Sequence, residues 1–168
     1  MNEIIFKCKK PPVLKPIPIK TKEGNWFRRV KGWFSTRKWE LEENFYFNIN
    51  NLPCFIPKGF VFDGASVPRF FWSLLHPTGI LMIPSIIHDF GYKNRFINGY
   101  NVNGNKPIKI TKYFTFQKRK KWDILFCKIA IAVNGFGTIN KITYLGVRAG
   151  GWVAFNKYRR HEDGIRKR

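Results

Sequence analysis

Acidic residues are what this chain has least of. Ten Asp+Glu stand against thirty-one Lys+Arg, a formal charge of +21 over 168 residues. That imbalance exceeds what solubility requires and points to polyanionic partners: nucleic acid, an anionic membrane or an acidic protein surface. Long apolar runs are also missing. No stretch approaches the roughly 20 residues that span a bilayer, so no transmembrane segment is expected. The start, MNEIIFKCKKPP, is charged and broken by proline, with no apolar core of a secretion signal. Cysteine is scarce: Cys8, Cys54 and Cys127 form no CxxC pair, which leaves three reduced thiols rather than a disulfide framework. No internal repeat or linker divides the chain.

What is present is apolar and aromatic. A hydrophobic fraction of 44% with 17% aromatics supports a compact core, and the length suits one domain over 1–168. Residues 1–20 alternate proline with apolar residues and read as an extended arm or edge strand. Residues 25–34 (NWFRRVKGWF) and 44–49 (NFYFNI) read as strands, with a polar connection over 36–43. Residues 54–63 read as a further strand, interrupted by a Pro-Lys-Gly turn. Beyond Ser66 the pattern turns helical. A short helix is expected over 67–75, and one from Pro84 to about Phe96. Another is expected over 117–133, where Trp122, Leu125, Phe126, Ile129 and Val133 recur at helical spacing. A last helix is expected over 139–158, with Gly146 and Gly150 on one stripe open to a close neighbour. Residues 98–109 (NGYNVNGNKPIK) read as an exposed loop, and residues 159–168 as a frayed basic tail. The class is α+β: a β-rich N-terminal part followed by three to four helices, two of them facing each other around a His/Asp cluster.

The few acids are informative by position. Between Asn44 and His161 there are only Asp63, Asp89 and Asp123, each in apolar company. Aspartate is rarely buried unless it is paired. Asp63 follows a strand in DGAS, where capping the turn is a sufficient local role. Ser66 lacks the Gly-x-Ser-x-Gly elbow of a nucleophile and suits a helix cap. His88 and Tyr92 stand at i and i+4, with Asp89 beside His88, so all three share one side of a helix. Asp123 lies on the flank of the amphipathic helix and can face them. A carboxylate presented to an imidazole fixes its tautomer and stabilises its protonated form, as a general base requires. Lys118, Arg119, Lys120 and Lys121 open the same helix, against its macrodipole, where a bound phosphate would relieve the conflict.

The segments GFxxDGASVPR (59–69), HDxxY (88–92), KKWDILF (120–126) and GVRAGG (146–151) resemble a family of short proteins of unknown function in tailed phages, prophages and bacteria. The resemblance covers about 57–151 as the family core. It implies no established activity, but its phage setting, together with this chain's charge, favours a phage-encoded accessory or virion protein, in a virion or host cytoplasm. In that reading the His/Asp cluster is a polar staple between helices and the basic surface meets DNA or acidic phage structural proteins. HDFGYKN (88–94) is also similar to the active-site helix of prokaryotic secreted phospholipases A2. There the His activates water, the next Asp binds Ca²⁺, and a second Asp on an antiparallel helix orients the His. The hydrolase reading that follows has His88 as base and Asp123 as its orienter, with Tyr92 nearby and Asp89 or Asp63 as a metal or hydrogen-bond ligand, the metal being a divalent cation such as Ca²⁺. The cysteine beside the His-Asp pair, the glycine-rich Ca²⁺ loop and the export signal of those enzymes are missing here. The enzyme and structural readings stay open at this point.

Overall fold

Proline gives the N-terminal arm few ladder donors, and it enters the fold only at edges. Its strands are β1 (Phe6–Lys7) and β2 (Leu14–Pro16), at the edges of two different sheets. The computed structural model describes residues 3–18, 38–62, 81–103 and 106–166. The strand expected over 25–34, the helix expected over 67–75, Asp63 and Ser66 lie outside them. The expected polar connection contains β3 (Trp39–Leu41), which pairs antiparallel with β2 and buries Leu41 completely. Next come β4 (Phe45–Ile49) and β5 (Leu52–Ile56), joined by Asn50 and Asn51 at φ 50° and 63°. Asparagine tolerates those left-handed angles, and a two-residue hairpin loop demands them. The expected single strand over 54–63 divides at its Pro-Lys-Gly turn. Its second half, β6 (Val61–Phe62), pairs with β3 in the other sheet.

The next element among the described residues is α1 (Met82–Asn94), and then comes a hairpin of β7 (Ile97–Asn103) and β8 (Lys106–Tyr113). This corrects the expected loop over 98–109: Asn and Gly fill a paired strand there, with Gly99 opposite Cys54 and Thr111. The larger sheet is antiparallel throughout, in the order β1-β4-β5-β7-β8; the smaller one runs β2-β3-β6. Two helices close the chain, α2 (Arg119–Asn134) and α3 (Gly137–Arg166). Gly135, at φ 73°, caps α2 by donating its N–H to the Ile131 carbonyl and turns the chain into α3. The expected fraying of the C-terminal tail is also corrected, because α3 remains helical to Arg166.

Alternation decides which face of the sheet is core. Phe45, Phe47 and Ile49 are buried while Tyr46 is exposed, and Cys54 and Ile56 of β5 face the same way as the buried set. Against that face pack Ile86, Ile87 and Phe90 of α1 and Trp122, Leu125 and Ile129 of α2. Gly91 makes this contact possible, since a Cβ there would sit 2.3 Å from the Trp122 ring. The two helices therefore run close together, and their polar positions meet. Cys54 and Cys127 are buried free thiols; burial pushes the Cys54 thiol up to about 12.

Candidate active site

Three helices converge on one carboxylate. Asp123, in the first half of α2, is fully buried. Its Oδ1 accepts from His88 Nε2 at 3.1 Å and from the Tyr92 hydroxyl, both on α1. Its Oδ2 accepts from Arg148 Nη1 of α3 at 2.7 Å. His88 and Tyr92 sit one helical turn apart, which brings both to the same oxygen, with ring centroids 3.9 Å apart. Phe126 closes on the imidazole edge-on at 5.4 Å, and Phe155 of α3 does the same for Tyr92 at 5.2 Å.

Contacts beyond Asp123 also hold α3 in place. Arg119 Nη1 donates to the Arg148 carbonyl at 3.0 Å. Gly151 leaves room for the phenol, since a Cβ there would stand 2.7 Å from Tyr92 Oη. At Gly146 and Gly150, where close approach was expected, neither would-be Cβ has a neighbour within 4 Å among the described residues. The packed glycine is the next one along.

Electrostatics follow from this geometry. Burial favours the neutral imidazole of His88, but the pull of Asp123 and Asp89 outweighs it and raises its pKa above the ordinary value. Burial likewise pushes the Asp123 carboxyl up, yet hydrogen bonds from His88, Arg148 and Tyr92 hold it below the usual carboxylate range. Burial and the same carboxylate raise the Tyr92 phenol, which stays a proton donor. With Nε2 committed to Asp123, the other imidazole nitrogen is the one left for chemistry. His88 Nδ1 faces Asp89 Oδ1 at 3.6 Å, too long for a hydrogen bond, and Asp89 keeps a quarter of its side-chain surface in solvent.

His88, Tyr92, Asp89 and Asp123 are thus brought to one site. Asp63, the other expected cation ligand, lies outside the described residues. Among those residues, no group of three or more His, Cys, Asp or Glu is placed to hold a metal. Asp89 is the carboxylate that faces His88 Nδ1. Ser85, one turn before His88, has a buried hydroxyl with no hydrogen-bond partner among the described residues. Of the basic cluster, Lys118, Lys120 and Lys121 are exposed, whereas Arg119 is turned onto α3. Sequence reasoning missed Arg148 as a member of the site. Its only signal was its place in the GVRAGG segment, where it looked like one more cation in a very basic chain.

A family described as protein of unknown function (DUF1353) matches residues 39–147. The chain belongs to this family. The matched stretch takes in His88, Tyr92 and Asp123 and stops one residue short of Arg148. No curated protein and no solved structure matches the chain.

Proposed function

We propose that the site is the acid–base centre of a small hydrolase of the ester-cleaving type, with His88 as the base. One observation carries the reading: His88 Nε2 is anchored on a buried carboxylate at 3.1 Å, while Nδ1 faces the partly exposed Asp89. In its neutral form an imidazole held in this way has one defined tautomer, with Nδ1 as the acceptor. Nδ1 takes a proton from water, whose oxygen attacks the ester carbonyl; Asp123 stabilises the resulting imidazolium, which returns the proton to the leaving alkoxide. Tyr92 and Arg148 hold Asp123 in place and are positioning residues. A divalent cation would add Lewis-acid chemistry, but the described residues offer it only Asp89, and no step depends on it.

The test is access and turnover together. Diethyl pyrocarbonate applied to the folded protein should acylate His88, as located by mass mapping. Fluorogenic carboxylic esters and phospholipid vesicles, with and without Ca²⁺, should be hydrolysed by the wild type and not by His88→Asn. A His88 that resists the reagent in a protein inert to every ester overturns the reading. It would leave the cluster as a polar staple between helices.

Charge supports a second reading, an accessory phage component that holds DNA or an acidic structural protein. Lys118, Lys120 and Lys121 are exposed at the start of α2, where the first turn contains no acidic residue. The +21 charge of the whole chain favours any such polyanion.

A further inference from the structure

The face of the larger sheet that points away from the helices is aromatic. Tyr46 and Phe55 are cross-strand partners, so their side chains stand on one face, and Tyr100 of β7 joins them. The ring centroids of Tyr46 and Tyr100 are 5.3 Å apart, and Phe55 lies 5.8 Å from Tyr46 and 6.1 Å from Tyr100. Tyr46 keeps 42% of its surface exposed, a large fraction for an aromatic in mid-strand. The arm runs beside this patch. Together they enclose an open groove of ≈ 750 Å³, whose lining includes Lys7, Lys9, Tyr46, Asn48 and Tyr100. Lys7 pairs in register with Asn48 and so points to the same face as Tyr46. Among the described residues Glu43 is the one acid that lines the groove, and it is engaged by Lys10 at 2.8 Å. The groove is therefore walled by rings and rimmed by lysines, on a chain of charge +21.

We infer that this groove binds single-stranded nucleic acid, with bases stacked on Tyr46 and Tyr100, which Phe55 backs from the same face, and phosphates along Lys7 and Lys9. The pairing of features selects that ligand. Aromatic faces take up unstacked bases, which a duplex does not offer, and sheets of similar width elsewhere stack two or three bases in this way. Cross-strand aromatic packing alone would explain the Tyr46–Phe55 pair, but not a cationic arm laid beside it. Charge complementarity on the rim argues against a second copy of this +21 chain as the occupant. The inference is independent of the His88 site and uses a different surface from the start of α2.

Fluorescence anisotropy with labelled oligo(dT), oligo(U) and a length-matched duplex tests it on the full chain. A single strand should bind roughly tenfold tighter than the duplex, and the preferred oligomer tells DNA from RNA. Tyr46→Ala should weaken single-strand binding roughly tenfold, whereas Tyr46→Phe, which keeps the ring, should stay within about twofold. Lys7→Gln with Lys9→Gln, at exposed positions that the fold does not depend on, should flatten the salt dependence by about two phosphate contacts. His88→Asn should leave binding unchanged. Equal or tighter binding of duplex overturns the proposal, as does a Tyr46→Ala protein that is folded by circular dichroism and binds normally. If Tyr46→Ala instead dissociates an oligomer in sedimentation, the face is an interface between copies and the proposal fails. Duplex binding lost only when Lys118, Lys120 and Lys121 are neutralised would support the second reading above and not this one.

Discussion

At the scale of single residues, Asp123 dominates because its two oxygens accept from three side chains while it is withdrawn from solvent. Its pKa is lowered and that of His88 is raised, so the pair acts on stability from both sides of neutrality. A depressed carboxylate contributes stability that is present above about pH 3.9, its unfolded value, and lost as pH falls through its folded value. A raised imidazole contributes stability that is full below about pH 6.5 and lost as pH rises through its folded value. Among the described residues, Asp89, Asp123, Tyr92 and Arg148 are the charged and titratable groups of this cluster. Melting temperature against pH should therefore peak between about 4 and 6.5 and fall on either side. Asp123→Asn should lower the melting temperature at that optimum, with a loss of about 3 kcal/mol in stability because a buried ion pair loses one partner, and flatten both limbs. A pH profile for the variant parallel to that of the wild type would show that the pair does not titrate with folding. The dyad itself was legible in the sequence, because isolated acids in apolar segments must find partners. Arg148 was not, because a single Arg among thirty-one cations gives no contrast.

At the scale of elements, glycine distinguishes the face of α3 that packs from the face that does not. Gly151 lies against Tyr92, whereas Gly146 and Gly150 meet none of the described residues within 4 Å. Gly151→Ala should displace the phenol from Asp123 and destabilise the fold by about 1–3 kcal/mol. Gly146→Ala and Gly150→Ala should each stabilise it by about 0.5–1 kcal/mol, the helix-interior penalty of glycine. Urea denaturation of the three variants decides, and an equal response at all three positions would contradict the packing described. The same elements show where sequence patterns mislead. The 3.6-residue period of Trp122, Leu125, Phe126 and Ile129 gave α2 almost to its ends. β7 and β8 were hidden, because Asn and Gly carry turn propensity that pairing with β5 overrides, and because Gly99 is needed under the Tyr113 ring. β3 was hidden for a related reason: at three residues it is too short to show alternation.

At the scale of the whole molecule, the question is whether the charge acts through particular surfaces or as a diffuse field. A diffuse +21 field attracts any polyanion at low salt and loses it steadily as salt rises, with a slope set by the number of phosphates neutralised. Lys118, Lys120 and Lys121 are exposed together at the start of one helix, so they are the densest cationic group that the described side chains present there. Arg119 is different in kind, because its guanidinium is bound to the Arg148 carbonyl and supports the site. Neutralising the three lysines to Gln should therefore reduce the salt slope for duplex DNA by up to about three contacts, at about 0.9 per phosphate. Arg119→Gln should instead lower the melting temperature, with little change in slope. Titrations between about 50 and 200 mM salt measure both, over a range in which electrostatic binding of this kind falls steeply. A slope unchanged by the triple substitution would mean that duplex contacts are spread over the surface. A slope altered as much by Arg119→Gln as by any one lysine would place that guanidinium in solvent, against its position on α3.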